Sequence, residues 1–146
     1  MESIILEKIL DAPIDLVWLV ITQKDHLKNW YFDFSEQWKL ELGHQFEWLA
    51  GPPDGKQWLH RGTMLEIIEE KKLVHTWEYP GYSGEALVDW ELFAVSENIT
   101  KLVFKYNFLV PFEPEEEALN RKNFIEGWDF IILTTLPEYV KKQLQK

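Results

Sequence analysis

Residues 88–108 read Val-Asp-Trp-Glu-Leu-Phe-Ala-Val-Ser-Glu-Asn-Ile-Thr-Lys-Leu-Val-Phe-Lys-Tyr-Asn-Phe. Val88, Trp90 and Leu92 alternate with Asp89 and Glu91. Leu102, Phe104, Tyr106 and Phe108 alternate with Lys101, Val103, Lys105 and Asn107. A period of two places one set of side chains on each face of a strand, so this stretch predicts two half-buried strands joined by a turn over 96–99. The pattern extends upstream. Leu73, His75 and Trp77 alternate, as do Phe46 and Trp48 against Gln45 and Glu47, and residues 57–69 form another strand. Gly51-Pro52-Pro53-Asp54-Gly55, Glu70-Lys71-Lys72 and the segment from Pro80 to Gly84 are the breaks between them. From residue 36 to 108 the chain therefore predicts an antiparallel meander with one covered face.

The flanks complete the order. Residues 3–10 mix β-branched residues with charges and read as a first strand. Ala12-Pro13 then signals a helix start, with Pro13 at the first helical position. Leu16, Val17 and Val20 supply an apolar face. Thr22 to Asp25 resembles a capping box for a second short helix ending at Trp30 and Tyr31. After the strands, Glu115, Glu116 and Glu117 fit a helix N-terminus. Ile125, Trp128, Ile132, Leu136 and Tyr139 follow as an apolar stripe at spacings of three and four. Pro137 interrupts that helix and predicts a kink near Leu133. The expected architecture is α+β: one strand, two short helices, about six further strands, and a long helix covering the sheet's apolar face. One domain over residues 1–146 suffices for this length.

Composition narrows the function. The chain has 46% hydrophobic residues, 15 basic and 25 acidic side chains, a net charge of −10 and no cysteine. That charge argues against a general nucleic-acid binder and against docking on an anionic membrane. Without cysteine there is no disulfide, thiolate nucleophile or zinc–thiolate site. No signal-peptide core or membrane-spanning apolar run is present, so a cytoplasmic protein is expected. Eight Trp, nine Phe and five Tyr mean either a very aromatic core or a cavity lined with rings.

These elements, taken in order, resemble the START-like, SRPBCC superfamily of helix-grip domains. Within it the chain is similar to the activator of heat-shock protein 90 ATPase homologue 1-like family. The resemblance rests on Ala12-Pro13-x-Asp15-x-Val17-Trp18, the helix ending at Trp30, Gly43-x-x-Phe46-x-Trp48, the segment Gly62 to Trp77, Val88-x-Trp90-x-Leu92, Leu102-x-Phe104 and Gly127-Trp128. It implies a sheet of about six to seven strands wrapped around a long C-terminal helix, with a hydrophobic cavity between them. Superfamily members carry lipids, sterols, hormones or polyketides, and some are cyclases or dehydratases.

Strand parity and the family pattern together put Phe46, Trp48, His75, Trp77, Trp90, Leu92, Phe104 and Tyr106 inside, facing Trp128 and Ile132 from the helix. These ten are the expected ligand-binding residues. The same alternation fits a packed aromatic core. Along 57–69, Leu65 and Ile67 oppose Met64 and Ile68, and parity alone leaves the inward row open. His75 with a nearby Tyr106 could orient a polar group or act as acid and base. Glu66 reads as a solvated strand position. Trp30, Tyr31, Phe32 and Phe34 would gate the cavity, pack the helix pair or form an exposed patch. His26, His44, His60 and His75 are scattered, without metal-ligand spacing. No catalytic residue, cofactor or metal is assigned. The leading expectation is binding of a small hydrophobic or amphipathic molecule. A cyclase or dehydratase using the same cavity and a chaperone-interacting module are the alternatives, and a homodimer stays open because a free sheet edge can pair.

Overall fold

The computed structural model describes residues 2–145. In chain order the elements are β1 (Ile4–Leu10), α1 (Ile14–Thr22), α2 (Lys24–Trp30), β2 (Gln45–Ala50), β3 (Trp58–Ile68), β4 (Lys72–Trp77), β5 (Glu85–Ser96), β6 (Ile99–Val110), α3 (Arg121–Phe130) and α4 (Leu136–Leu144). The strands form one antiparallel sheet in the order β1-β6-β5-β4-β3-β2. The alternation over 88–108 produces the centre of this sheet. Val88 faces Tyr106, Trp90 faces Phe104 and Leu92 faces Leu102 across β5 and β6, and all six are buried.

Five strands follow the helices rather than about six, so the sheet has six in all. Residues 36–44, expected to open the meander, hold a 3-10 turn, Ser35–Gln37, and no strand before Gln45. Side-chain anchors hold this part of the chain against the helices: Trp38 Nε1 donates to the Thr22 carbonyl at 2.7 Å, and Trp30 Nε1 to the Val20 carbonyl at 2.9 Å. The capping box at Thr22 does not form. The Thr22 hydroxyl donates back to the Trp18 carbonyl, and Gln23 precedes α2 without a side-chain cap. Pro13 stands one position earlier than expected, as the residue before α1.

The open parity of β3 is settled by a β-bulge. Met64 pairs with His75, but the next pairs are Glu66 with Val74 and Ile67 with Leu73. Leu65 is the extra residue and is exposed. Met64 from one row and Ile67 from the other therefore both pack toward the core, because one inserted residue exchanges the faces.

The C-terminal helix begins at Arg121, with the Asn120 side chain accepting from the Asn123 amide at 2.9 Å. The three glutamates lie before it, leading into a 3-10 turn, Glu117–Leu119. Phe124, Trp128, Ile132, Leu136 and Val140 form its buried stripe, with Ile125 and Tyr139 at the margins. Pro137 has no amide to give the Leu133 carbonyl. The helix responds with a π-helical turn, Ile131–Thr135, in which the Leu136 amide reaches the Ile131 carbonyl five residues back. Such a wide turn is a recognised cause of helix irregularity, and it brackets Leu133. No helix among the described residues is long and apolar enough to cross a membrane.

Candidate functional site

The concave face of the sheet is a continuous layer of rings, and the segment after α2 drops three more onto it. Phe34 lies 5.5 Å from Phe46 and 5.0 Å from Trp48 in edge-to-face contacts. Phe32 lies 5.7 Å from Trp48 and 6.1 Å from Trp77. Tyr31 meets Trp90 at 5.8 Å and Trp128 at 6.2 Å. Aromatic pairs at these separations add to the apolar area they bury. The segment 30–34 therefore packs the interior over β2, β4 and β5. Trp30 and Phe34 are buried, and Tyr31 and Phe32 are partly so.

What stays open is the other end. A groove of about 830 Å³ runs between α3 and the β2–β3 end of the sheet, within the usual range for small-molecule sites. Phe32 is among its lining residues. Trp58, His60, Trp77 and Tyr79 line the sheet side, and Phe124, Gly127 and Trp128 the helix side. Gly51 to Pro53 and Ala118 to Leu119 form the mouth.

Of the ten residues expected from parity, Trp77 and Trp128 stand in the groove wall. Phe46, Trp48, His75, Trp90, Leu92, Phe104, Tyr106 and Ile132 lie in the packed interior beside it. Phe46 and Trp48 stack on each other at 5.3 Å, and Tyr106 stacks on Phe124 at 5.2 Å. His75 and Tyr106 are not neighbours. Each pairs with Val88 from opposite sides, so two strand spacings, about 9–10 Å, separate their backbones. His75 Nδ1 donates to the Thr76 carbonyl at 2.7 Å, and burial pulls its pKa down to about 4, so the ring is neutral near pH 7. The Tyr106 hydroxyl is sealed from solvent without a hydrogen-bond partner, and burial raises its pKa well above the ordinary value. Glu66 pairs with Val74 on the other side of the bulge and stays partly exposed.

The polar groups of the groove are ones that sequence reasoning passed over. His60 was visible only as one of four scattered histidines. The alternation Trp58, His60, Gly62, Met64 was the signal that could have placed it inside. Gly62 belongs to that row because a Cβ there would meet Phe46 Cζ at 2.7 Å and the Thr76 carbonyl at 2.8 Å. His60 Nδ1 lies 2.8 Å from the Trp58 carbonyl, an acceptor, so Nδ1 carries the proton and Nε2 the lone pair. The ring is stacked on Trp48 at 4.9 Å and faces the edge of Trp77 at 5.0 Å. Burial lowers the His60 pKa to about 4 against the opposing pull of the Trp58 and Trp48 backbone, so His60 is neutral near pH 7. Tyr79 packs 4.7 Å from His60, and burial raises its pKa, keeping the phenol protonated. Among the described residues no three metal-ligating side chains come together: His26 Nδ1 is 2.7 Å from the Tyr139 hydroxyl, and His44 Nε2 2.6 Å from the Gln37 carbonyl.

The sequence profile of the family described as "Activator of Hsp90 ATPase homolog 1-like protein" matches residues 11–141. The chain belongs to this family. No curated protein matches it. Among solved structures, an uncharacterized protein from Rhizobium leguminosarum superposes with a TM-score of 0.78 at 16% identity, covering 97% of this chain and 95% of that one. CalU16 from Micromonospora echinospora gives 0.67 at 21% identity over 98% and 78% of the two chains. DynU16, from the dynemicin biosynthetic locus, gives 0.74 at 18% identity, over 97% of this chain and 48% of its own. Identities this low establish the shared helix-grip fold of this activator-homologue family and nothing of ligand or activity.

Proposed function

We propose that the protein binds a small, mainly apolar molecule in the groove between α3 and the β2–β3 end of the sheet. The observation that carries this is Gly127. A glycine inside a helix costs about 0.5–1 kcal/mol relative to alanine. Crowding does not demand it here, since a Cβ at Gly127 would meet nothing within 4 Å, and its backbone is ordinary helix. The space beside it is the groove. The helix thus gives up stability where a side chain would intrude on that space. The rings around it supply the apolar surface a small hydrophobe needs. The family description raises chaperone ATPase activation as well; the groove favours ligand binding, in a cytoplasmic setting.

Trp58, Trp77 and Trp128 in the wall make the test direct. Titration with a panel of sterols, fatty acids and flat polycyclic aromatics should change tryptophan emission saturably for at least one class. Gly127→Phe fills the groove without displacing any neighbour of the absent Cβ, so it should fold and lose that response. A response of equal affinity in Gly127→Phe would place the ligand elsewhere. No saturable response across the panel would remove the proposal.

A further inference from the structure

Resting on that reading, we infer that the groove selects a neutral aromatic ligand bearing a hydroxyl group, which donates a hydrogen bond to Nε2 of His60, and that it rejects carboxylates of the same shape. Three observations converge on this.

The first is the fixed tautomer. The Trp58 carbonyl, 2.8 Å from Nδ1, holds the imidazole proton on that nitrogen. Nε2 is then an acceptor only. No hydrogen bond to Nε2 is seen among the described residues, and Nε2 is not among the side-chain atoms both sealed from solvent and without a partner, although the Trp48 backbone also lies close to the ring. His60 lines the groove, so the exposed edge of its ring offers a lone pair there. An acceptor inside an apolar wall favours a donor, because a ligand without one leaves the lone pair desolvated and unpaired.

The second is charge. His60 stays neutral near pH 7 because its surroundings are rings: Trp48 and Trp77 against its faces and edge, Tyr79 beside it, and Phe32 at 6.1 Å. It gives an anion nothing to pair with. The chain carries a net charge of −10, and Glu115, Glu116 and Glu117 lead directly into Ala118 and Leu119 of the mouth. The neighbouring cation is engaged: Lys56 Nζ donates to the Tyr82 hydroxyl at 2.8 Å and sits 3.9 Å from the centre of the Trp58 ring. Arg121, at the start of α3, points to the Glu2 carbonyl at 3.4 Å. A carboxylate set against His60 would lose its water without gaining a charge partner from that ring.

The third is the aromatic character of the wall. Trp77 and Trp128 meet edge-to-face at 5.4 Å, and Trp58 and Tyr79 at 5.8 Å. An incoming aromatic ring can join such edge-to-face pairings, which a coiled alkyl chain cannot.

The test uses three probes of nearly one shape, measured by isothermal titration calorimetry at pH 7: 2-naphthol, 2-methoxynaphthalene and 2-naphthoate. The inference expects 2-naphthol to bind roughly three- to tenfold more tightly than 2-methoxynaphthalene, the worth of one neutral hydrogen bond, with 2-naphthoate weakest. In His60→Phe, which keeps the ring and removes the acceptor, 2-naphthol should fall to the affinity of 2-methoxynaphthalene while the latter holds its own. Equal binding of 2-naphthol and 2-methoxynaphthalene to the unmodified protein, or preference for 2-naphthoate, overturns the inference and leaves groove binding standing. Failure of all three probes to bind also overturns the inference, while the panel titration decides separately whether groove binding stands. The comparison among probes needs no variant, so a folding defect in His60→Phe leaves it decisive.

Discussion

Lowering the pH from 7 to 5 should destabilise the protein through two histidines, and one substitution should halve that loss. His60 and His75 are both buried, and burial lowers each pKa from 6.5 to about 4. The unfolded chain binds these protons near pH 6.5, and the folded chain only near pH 4. Each histidine therefore contributes stability that is fully present above pH 6.5, falls as the pH drops through the interval from 6.5 to 4, and levels off below it. At pH 5 nearly every unfolded molecule carries each proton and few folded ones do. The difference is on the order of 2 kcal/mol per histidine, at about 1.4 kcal/mol per unit of pKa. Two such residues amount to roughly 4 kcal/mol, a large share of the ~5–15 kcal/mol typical of a domain. The perturbation is His75→Gln, which leaves a polar, uncharged side chain beside the Thr76 carbonyl. The variant should be less stable at pH 7, because Gln fits less well against Phe46 at 5.2 Å, but it should lose about 2 kcal/mol less than the unmodified protein between pH 7 and 5. Urea unfolding followed by tryptophan emission at pH 7, 6 and 5 measures both slopes, and urea adds no salt to screen the carboxylates. Asp89, whose pKa burial raises despite the nearby Lys72, works in the opposite direction in both proteins and cancels in the comparison. Parallel pH profiles for the two proteins would refute the claim that His75 is held neutral inside the fold.

Two further substitutions test the packing. Thr100→Val removes a fully buried hydroxyl that donates to the Ala12 carbonyl at 2.8 Å, joining β6 to the entry of α1; the orphaned carbonyl should cost about 1–3 kcal/mol, read as a lower urea midpoint with an unchanged slope. Phe34→Ala removes the ring wedged between Phe46, Trp48 and Trp38. It should cost about 3–5 kcal/mol, and an environment-sensitive dye should gain access to the interior if the protein still folds.

The strands and the helix stripe were legible because each is a local property. Val88, Trp90 and Leu92 face inward for the same reason Asp89 and Glu91 face outward, and the pleat settles both at once. Phe124, by contrast, was missed beside Ile125, because the two stand four and three residues before Trp128 and helical periodicity accepts either spacing. The β3 row was undecidable because the bulge at Leu65 exchanges faces mid-strand. The expected site was legible only as an inward-facing set. Which of its members meet a void depends on what lands on them.

The sequence alone determined that a sheet with one aromatic face would be covered by a long C-terminal helix, and the family to which that order of elements belongs. The first follows from periodicity, which neighbouring residues carry between them; the second follows from the resemblance of the ordered motifs, Ala12-Pro13 to Gly127-Trp128, to those of the family. Only the tertiary structure decided that Tyr31, Phe32 and Phe34 fill the interior over β2, β4 and β5, leaving the open space beside His60 and Gly127. That outcome belongs to contacts between residues about 12 to 100 positions apart in the chain. A cavity is the volume such contacts leave unfilled, and close packing makes that volume depend on every ring at once.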